Sequence, residues 1–205
     1  TRGPRNLCMT LLGDAPAGTA IRRSGAREDA DVWVSGTLGD AMLALAVIEG
    51  RASLSPAAFE HARGRLELPS PRVTLGEALR GVATAAIDVS DGLTGDLAHI
   101  LSQSGVGASV DRAALPRSAA MDEALAGPHR ALALGCLVAG GDDYELCFTA
   151  PRAHRDRVEA SGAAAGVRVS RVGVITRARG LVLRDEAGTP LPELPAAFDH
   201  FEARP

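Results

Sequence analysis

No lysine occurs in the sequence: all 22 basic residues among its 205 are arginine. That excludes a P-loop lysine, the strand lysine of protein kinases and a Schiff-base lysine from this chain. Any phosphate chemistry must use metal ions, arginine and backbone N–H groups. Biased coding composition explains an Ala- and Arg-rich chain equally well, and the chemical constraint holds either way. Aromatics make up only 3%, so each one is informative. The three cysteines, Cys8, Cys136 and Cys147, are scattered and form no C-x-x-C pair. This favours a reducing cytoplasm and buried thiols over a disulfide framework or a zinc site. The five histidines show no ligand spacing. No apolar run approaches the roughly 20 residues of a membrane span. A net charge of −3 gives no sign of nucleic acid or an acidic membrane surface as partner.

What is present is ordinary for a globular fold: 46% hydrophobic and 23% charged residues. The length suits one large domain, or one domain plus part of another. The chain opens on Thr1-Arg2-Gly3-Pro4 with no initiator Met and no signal peptide. It is expected to be a piece of a longer protein.

Apolar periodicity outlines the elements. Residues 6–12 read as a strand ending at Gly13-Asp14. Residues 20–26 hold Arg22-Arg23-Ser24-Gly25, by itself a solvated basic turn. A strand is expected at 31–35, then a Gly36–Asp40 turn and a buried helix over 41–49, stopped by Gly50. Ser55-Pro56 caps a helix to about Arg63. Thr74-Leu75-Gly76-Glu77 reads as a capping box for a helix to about Gly81. A buried strand is expected over 82–87, then a helix whose core face is Leu93, Leu97, Ile100 and Leu101. Further expectations are a strand at 107–110, helices at 118–125 and 129–134, a strand from 144 with Glu145 and Cys147 on its polar face, a helix at 151–160, and strands at 169–176 and 180–184. Such alternation gives an α/β or α+β layered fold, with helices covering a sheet.

Two stretches carry chemistry. In Asp88-Val89-Ser90-Asp91-Gly92, two carboxylates and a hydroxyl sit at a strand-to-helix turn that Gly92 lets the backbone make. A helix N-terminus with unpaired N–H groups suits phosphate oxygens, and Asp88 and Asp91 could hold a hard cation such as Mg²⁺ against them. The bland alternative is that Ser90 or Asp91 merely caps the helix, but a cap requires one such residue and not three. The second stretch is Gly140-Gly141-Asp142-Asp143-Tyr144, a polar turn at a strand's mouth. Alone it reads equally as solvated carboxylates; beside the first it suggests an acidic pocket.

With these residues in view, the chain resembles thiamine-monophosphate kinase, in the superfamily of aminoimidazole-ribotide synthetase and selenophosphate synthetase. The matching motifs are T-R-G-P at Thr1, R-S-G-A at Arg23, V-S-G-T-L-G-D at Val34, I-D-V-S-D-G-L-x-x-D-L-x-H-I at Ile87, G-G-D-D-Y-E-L-C-F at Gly140, and F-D-H-F at Phe198. The resemblance implies a mixed sheet covered by helices, like the C-terminal domain of aminoimidazole-ribotide synthetase. It divides the chain into a remnant of an N-terminal ATP- and Mg-binding domain (1–25) and a C-terminal layered domain (26–205). It implies ATP-dependent phosphorylation of thiamine monophosphate to the diphosphate, by direct Mg²⁺-assisted transfer, in a full-length homodimer. Asp88 and Asp91 then resemble Mg²⁺ ligands, and Arg23 and Ser90 ATP contacts. Asp142 stands where the family has a Glu touching the substrate phosphate, and is one methylene shorter. Phe198 stands where an aromatic packs on thiamine. Because the family's N-terminal half supplies further Asp ligands, this piece alone is expected to be inactive. The alternatives are another ATP-dependent synthetase of the superfamily, or a non-catalytic Mg- and nucleotide-binding fragment.

Overall fold

A computed structural model describes residues 8–10 and 12–193. Six strands form one mixed sheet: β1 (Asp31–Ser35), β2 (Ala85–Val89), β3 (Gly107–Asp111), β4 (Glu145–Ala150), β5 (Val169–Thr176) and β6 (Gly180–Arg184). Their spatial order is β2-β4-β1-β5-β3-β6. Neighbours are antiparallel except β3 and β6, which run parallel. Seven α-helices lie among the described residues: α1 (Asp40–Ile48), α2 (Pro56–Glu67), α3 (Val73–Ala78), α4 (Leu93–Ser104), α5 (Ala119–Ala126), α6 (Arg130–Ala139) and α7 (Arg155–Ala164).

Strand alternation sorts side chains to two faces. Val32, Val34, Ile87, Val89 and Cys147 pack with Leu43, Leu97, Ile100, Met121 and Leu137, drawn from α1, α4, α5 and α6. Trp33 and Phe148 face the other way, onto Leu75 and Leu79 at α3 and Val158 of α7. Both faces of β4 are therefore covered. This corrects the expectation that Glu145 and Cys147 line a polar face: both are fully buried.

Other boundaries shift for identifiable reasons. Strand β2 runs two residues past Ile87, so Asp88 lies inside the ladder, opposite Leu146. Helices α2 and α6 run to Glu67 and Ala139, past the expected ends at Arg63 and Leu134. Thr74 is not a cap: α3 starts at Val73, and the residue before it, Arg72, donates its guanidinium to Glu145. A 3-10 turn over Arg152–His154 precedes α7, where a single helix from Pro151 is expected. Residues 8–10 and 12 have no regular structure, against the expected strand, and Cys8 is exposed. Thr1 and Phe198 lie outside the described residues. No helix among those described is long and apolar enough to cross a membrane.

Candidate functional site

The two acidic turns meet at the edge of the sheet. Asp142 N–H donates to the Ser90 carbonyl, and Tyr144 N–H to the Val89 carbonyl, each at 2.9 Å. Glycine makes this approach possible. A Cβ on Gly141 would lie 2.3 Å from the Ser90 carbonyl oxygen, and one on Gly92 2.4 Å from that of Ala139. Gly92 also has φ 107°, a conformation glycine adopts freely. Asp142 and Tyr144 are left-handed as well, at φ 64° and 50°. For non-glycine residues, and a bulky aromatic above all, this is strain that the surrounding bonds must hold.

Those bonds extend inward. Asp143, only 1% exposed, accepts the Gly39 N–H at 2.6 Å. It serves the start of α1 as a cap from 104 residues away, where no local side chain does. Burial pushes the Asp143 carboxyl up to about 8, Asp40 adding to the effect while the Gly39 N–H and Arg65 oppose it. Its other carboxyl oxygen, Oδ1, has no hydrogen-bond partner among the described residues. Glu145 follows, with its carboxylate held by Arg65 at 2.6 Å, Arg72 at 2.5 and 2.7 Å, and the Ser35 hydroxyl at 2.6 Å. The Val34–Asp40 segment is thus bound to the 140–145 turn, and that turn to Ser90.

Ahead of α4, Asp96 reaches back. One oxygen, Oδ2, accepts both the Ser90 and Asp91 N–H groups at 3.0 Å. Burial raises the Asp96 pKa first; these two hydrogen bonds pull it down, and the charges of Asp91 and Asp88 push it up again. The expectation of open N–H groups for phosphate is therefore corrected at these two positions, which a carboxylate of the same chain already occupies.

The turn of Asp88 and Asp91 and the turn of Asp142 meet, as expected. Burial raises the pKa of the Tyr144 phenol, with the Asp142 charge and hydrogen bond next and the Asp88 and Asp91 charges after them. Tyr144 is the chain's single tyrosine, so its 295 nm absorbance reads this site alone. Ionisation is expected above pH 10, and Asp88→Asn should move it downward. An unchanged midpoint would place Asp88 away from the ring.

The Arg23 carbonyl accepts the Ser104 hydroxyl at the end of α4. Its neighbour Arg22 accepts the Ala86 N–H at 3.1 Å, which lays this exposed basic segment along the free edge of β2. Sequence reasoning missed Asp96 and Glu145 as residues of the site, and took Asp143 and Tyr144 only as part of the second turn, with no role of their own. For Asp96, an acidic residue in a first helical turn was a readable sign. Nothing local separates Asp143 from Asp142.

Carboxylate oxygens are the donors Mg²⁺ prefers, and it commonly takes only one or two from protein beside phosphate and water. Asp88 and Asp91 fit that pattern. No group of three or more metal-binding side chains is arranged to hold an ion among the described residues.

An antiparallel-rich sheet layered with helices, carrying an acidic strand-to-helix turn at its edge, defines the class. Residues 25–186 match the AIR synthase related protein C-terminal domain, and the chain belongs to that family. Its relatives include thiamine-monophosphate kinase of Salmonella typhimurium strain LT2, 40% identical over 98% of this chain and 61% of that protein. The Escherichia coli K12 thiamine-monophosphate kinase is 38% identical over the same shares. Among solved structures, the thiamine-monophosphate kinase of Stenotrophomonas maltophilia K279a superposes with a TM-score of 0.76 at 44% identity, covering 82% of this chain and 54% of that one. A ThiL complexed with AMPPCP and TMP gives 0.71 at 25%, covering 88% and 54%. Escherichia coli HypE, at 19% identity and a TM-score of 0.71, shows the fold alone. The chain spans about three-fifths of the length of its curated relatives.

Proposed function

We propose that this chain is the C-terminal part of an ATP-dependent thiamine-monophosphate kinase, with residues 1–25 belonging to the neighbouring N-terminal domain. The observation that carries the reading is the junction of the two turns. It joins the turn that carries Asp88 and Asp91 to the turn that carries Asp142, in a chain with no lysine to meet polyphosphate. Relatives named for this activity, and one solved with a nucleotide analogue and TMP, support it.

Asp88 and Asp91 would hold Mg²⁺, which neutralises phosphate charge when bound. Asp96 occupies the Ser90 and Asp91 N–H groups, so phosphate contact falls to the Ser90 hydroxyl and to arginine. Arg23, exposed along β2, would supply that guanidinium from the side of the sheet. Asp142 would face the acceptor phosphate through water, since it is one methylene short and its Oδ1 already accepts the Tyr144 hydroxyl at 3.4 Å. The full enzyme would be a homodimer in the cytoplasm.

Calorimetry with Mg²⁺ and AMPPCP tests this. Binding should require Mg²⁺ and weaken by about tenfold in Asp88→Asn, a loss of about 1.4 kcal/mol. Coupled ADP release should show little or no turnover by this chain alone. Nucleotide binding indifferent to both Mg²⁺ and Asp88 would remove the turn from the site.

A further inference from the structure

Tyr144 is 42% exposed where the two turns meet. The ring is in neither core cluster on the sheet, whereas Trp33 and Phe148 are buried and stacked with centroids 6.5 Å apart. Its backbone holds it there. On one side the Tyr144 N–H is bonded to Val89; on the other, Glu145 is locked by two arginines and Ser35. A bulky residue at φ 50° with its ring in solvent is favoured neither by packing nor by local propensity. Its hydroxyl reaches Asp142 at 3.4 Å, and its N–H is bonded to Val89, the residue after Asp88 on β2.

An aromatic face beside carboxylates attracts a cation whose charge is spread over a ring, through the ring quadrupole and the anionic surroundings together. Thiamine carries such a group in its thiazolium. The geometry points to Tyr144 as the residue that receives the thiazolium ring of the acceptor substrate, and so selects a cationic ring over a neutral one of the same shape. This rests on the kinase reading and deepens it, by assigning ring recognition to the same turn that carries Asp142.

With ring-¹³C tyrosine the chain gives the signals of one residue. Thiamine monophosphate and unphosphorylated thiamine should both shift them, and inorganic phosphate should not. By calorimetry, Tyr144→Leu should weaken thiamine monophosphate binding by about tenfold, and Tyr144→Phe by less than about threefold, because the face is kept. Equal losses in Phe and Leu would assign the contact to the hydroxyl and overturn the proposal. Thiamine monophosphate bound by the wild-type chain with unshifted ring signals would overturn it too, while leaving the kinase reading in place. No binding of thiamine monophosphate at all would overturn both. Should Tyr144→Leu fail to fold, the labelled wild-type chain decides alone.

Discussion

Asp143→Asn is expected to stabilise the chain at alkaline pH, with a gain over wild type that grows as pH rises from about 4 to about 8. The cause is burial. Asp143 is almost wholly removed from water beside Asp40, and its carboxyl is pushed up to about 8. In the unfolded chain the same group ionises near its ordinary value of 3.8. Between the two values the folded state binds a proton that the unfolded state does not, so wild-type stability falls with rising pH. This contribution is fully present below about pH 4, decreases through neutrality and is lost above about pH 8. At about 1.4 kcal/mol per pKa unit the span is several kcal/mol, about 6 at most. Asparagine is isosteric, still accepts the Gly39 N–H and has no proton to release. Urea unfolding of both proteins at pH 5, 7 and 9 measures the difference. A gap that stays constant across these conditions would show that Asp143 is ionised in the folded chain.

The second large effect is expected at Glu145. Glu145→Ala should destabilise by about 3–5 kcal/mol, the usual range when one member of a buried ion pair is removed. Its carboxylate is fully buried, while Arg65 and Arg72 are 14% and 17% exposed. The hydrogen bond to Glu145 is the main reason the Arg72 pKa is raised, against the opposing effect of burial. Truncation leaves two guanidiniums and the Ser35 hydroxyl facing a void. Glu145→Gln keeps the volume and should cost less. Chemical denaturation reads both, and a loss below about 1 kcal/mol for alanine would show that the arginines find water instead. The same variant should release Tyr144, because the residue after it no longer anchors the strained turn.

The elements were legible where one face of a segment was apolar and the other polar. β1, β5, β6 and the apolar stripe of α4 lie at or within a residue of their expected places. Periodicity failed where both faces are covered: β4 buries Cys147 in the core on one face and Phe148 in the core on the other, so its alternation says nothing about solvent. It also failed at ends decided by distant partners. Thr74 has every local feature of a cap, yet Arg72 is drawn to Glu145 and the helix begins two residues earlier than the box requires. At the site, the residue types of the two turns were readable, and so was their meeting, since each turn is unexplained without the other. The filling of the Ser90 and Asp91 N–H groups by Asp96 was not. A carboxylate in a first helical turn equally faces solvent in most helices.

Taken alone, the amino-acid order determined the chemistry available: carboxylates and arginines without lysine, concentrated at two glycine-bearing turns, in motifs that name the family. Tertiary structure decided which carboxylate does what. Asp142 and Asp143 are adjacent and chemically identical, yet one is set at the surface beside Tyr144 and the other is sealed against α1. That difference comes from desolvation and from a backbone N–H supplied 104 residues away, and neither is a property of neighbours in sequence. Arg23 likewise takes its place from afar: its carbonyl accepts the hydroxyl of a serine 81 residues distant.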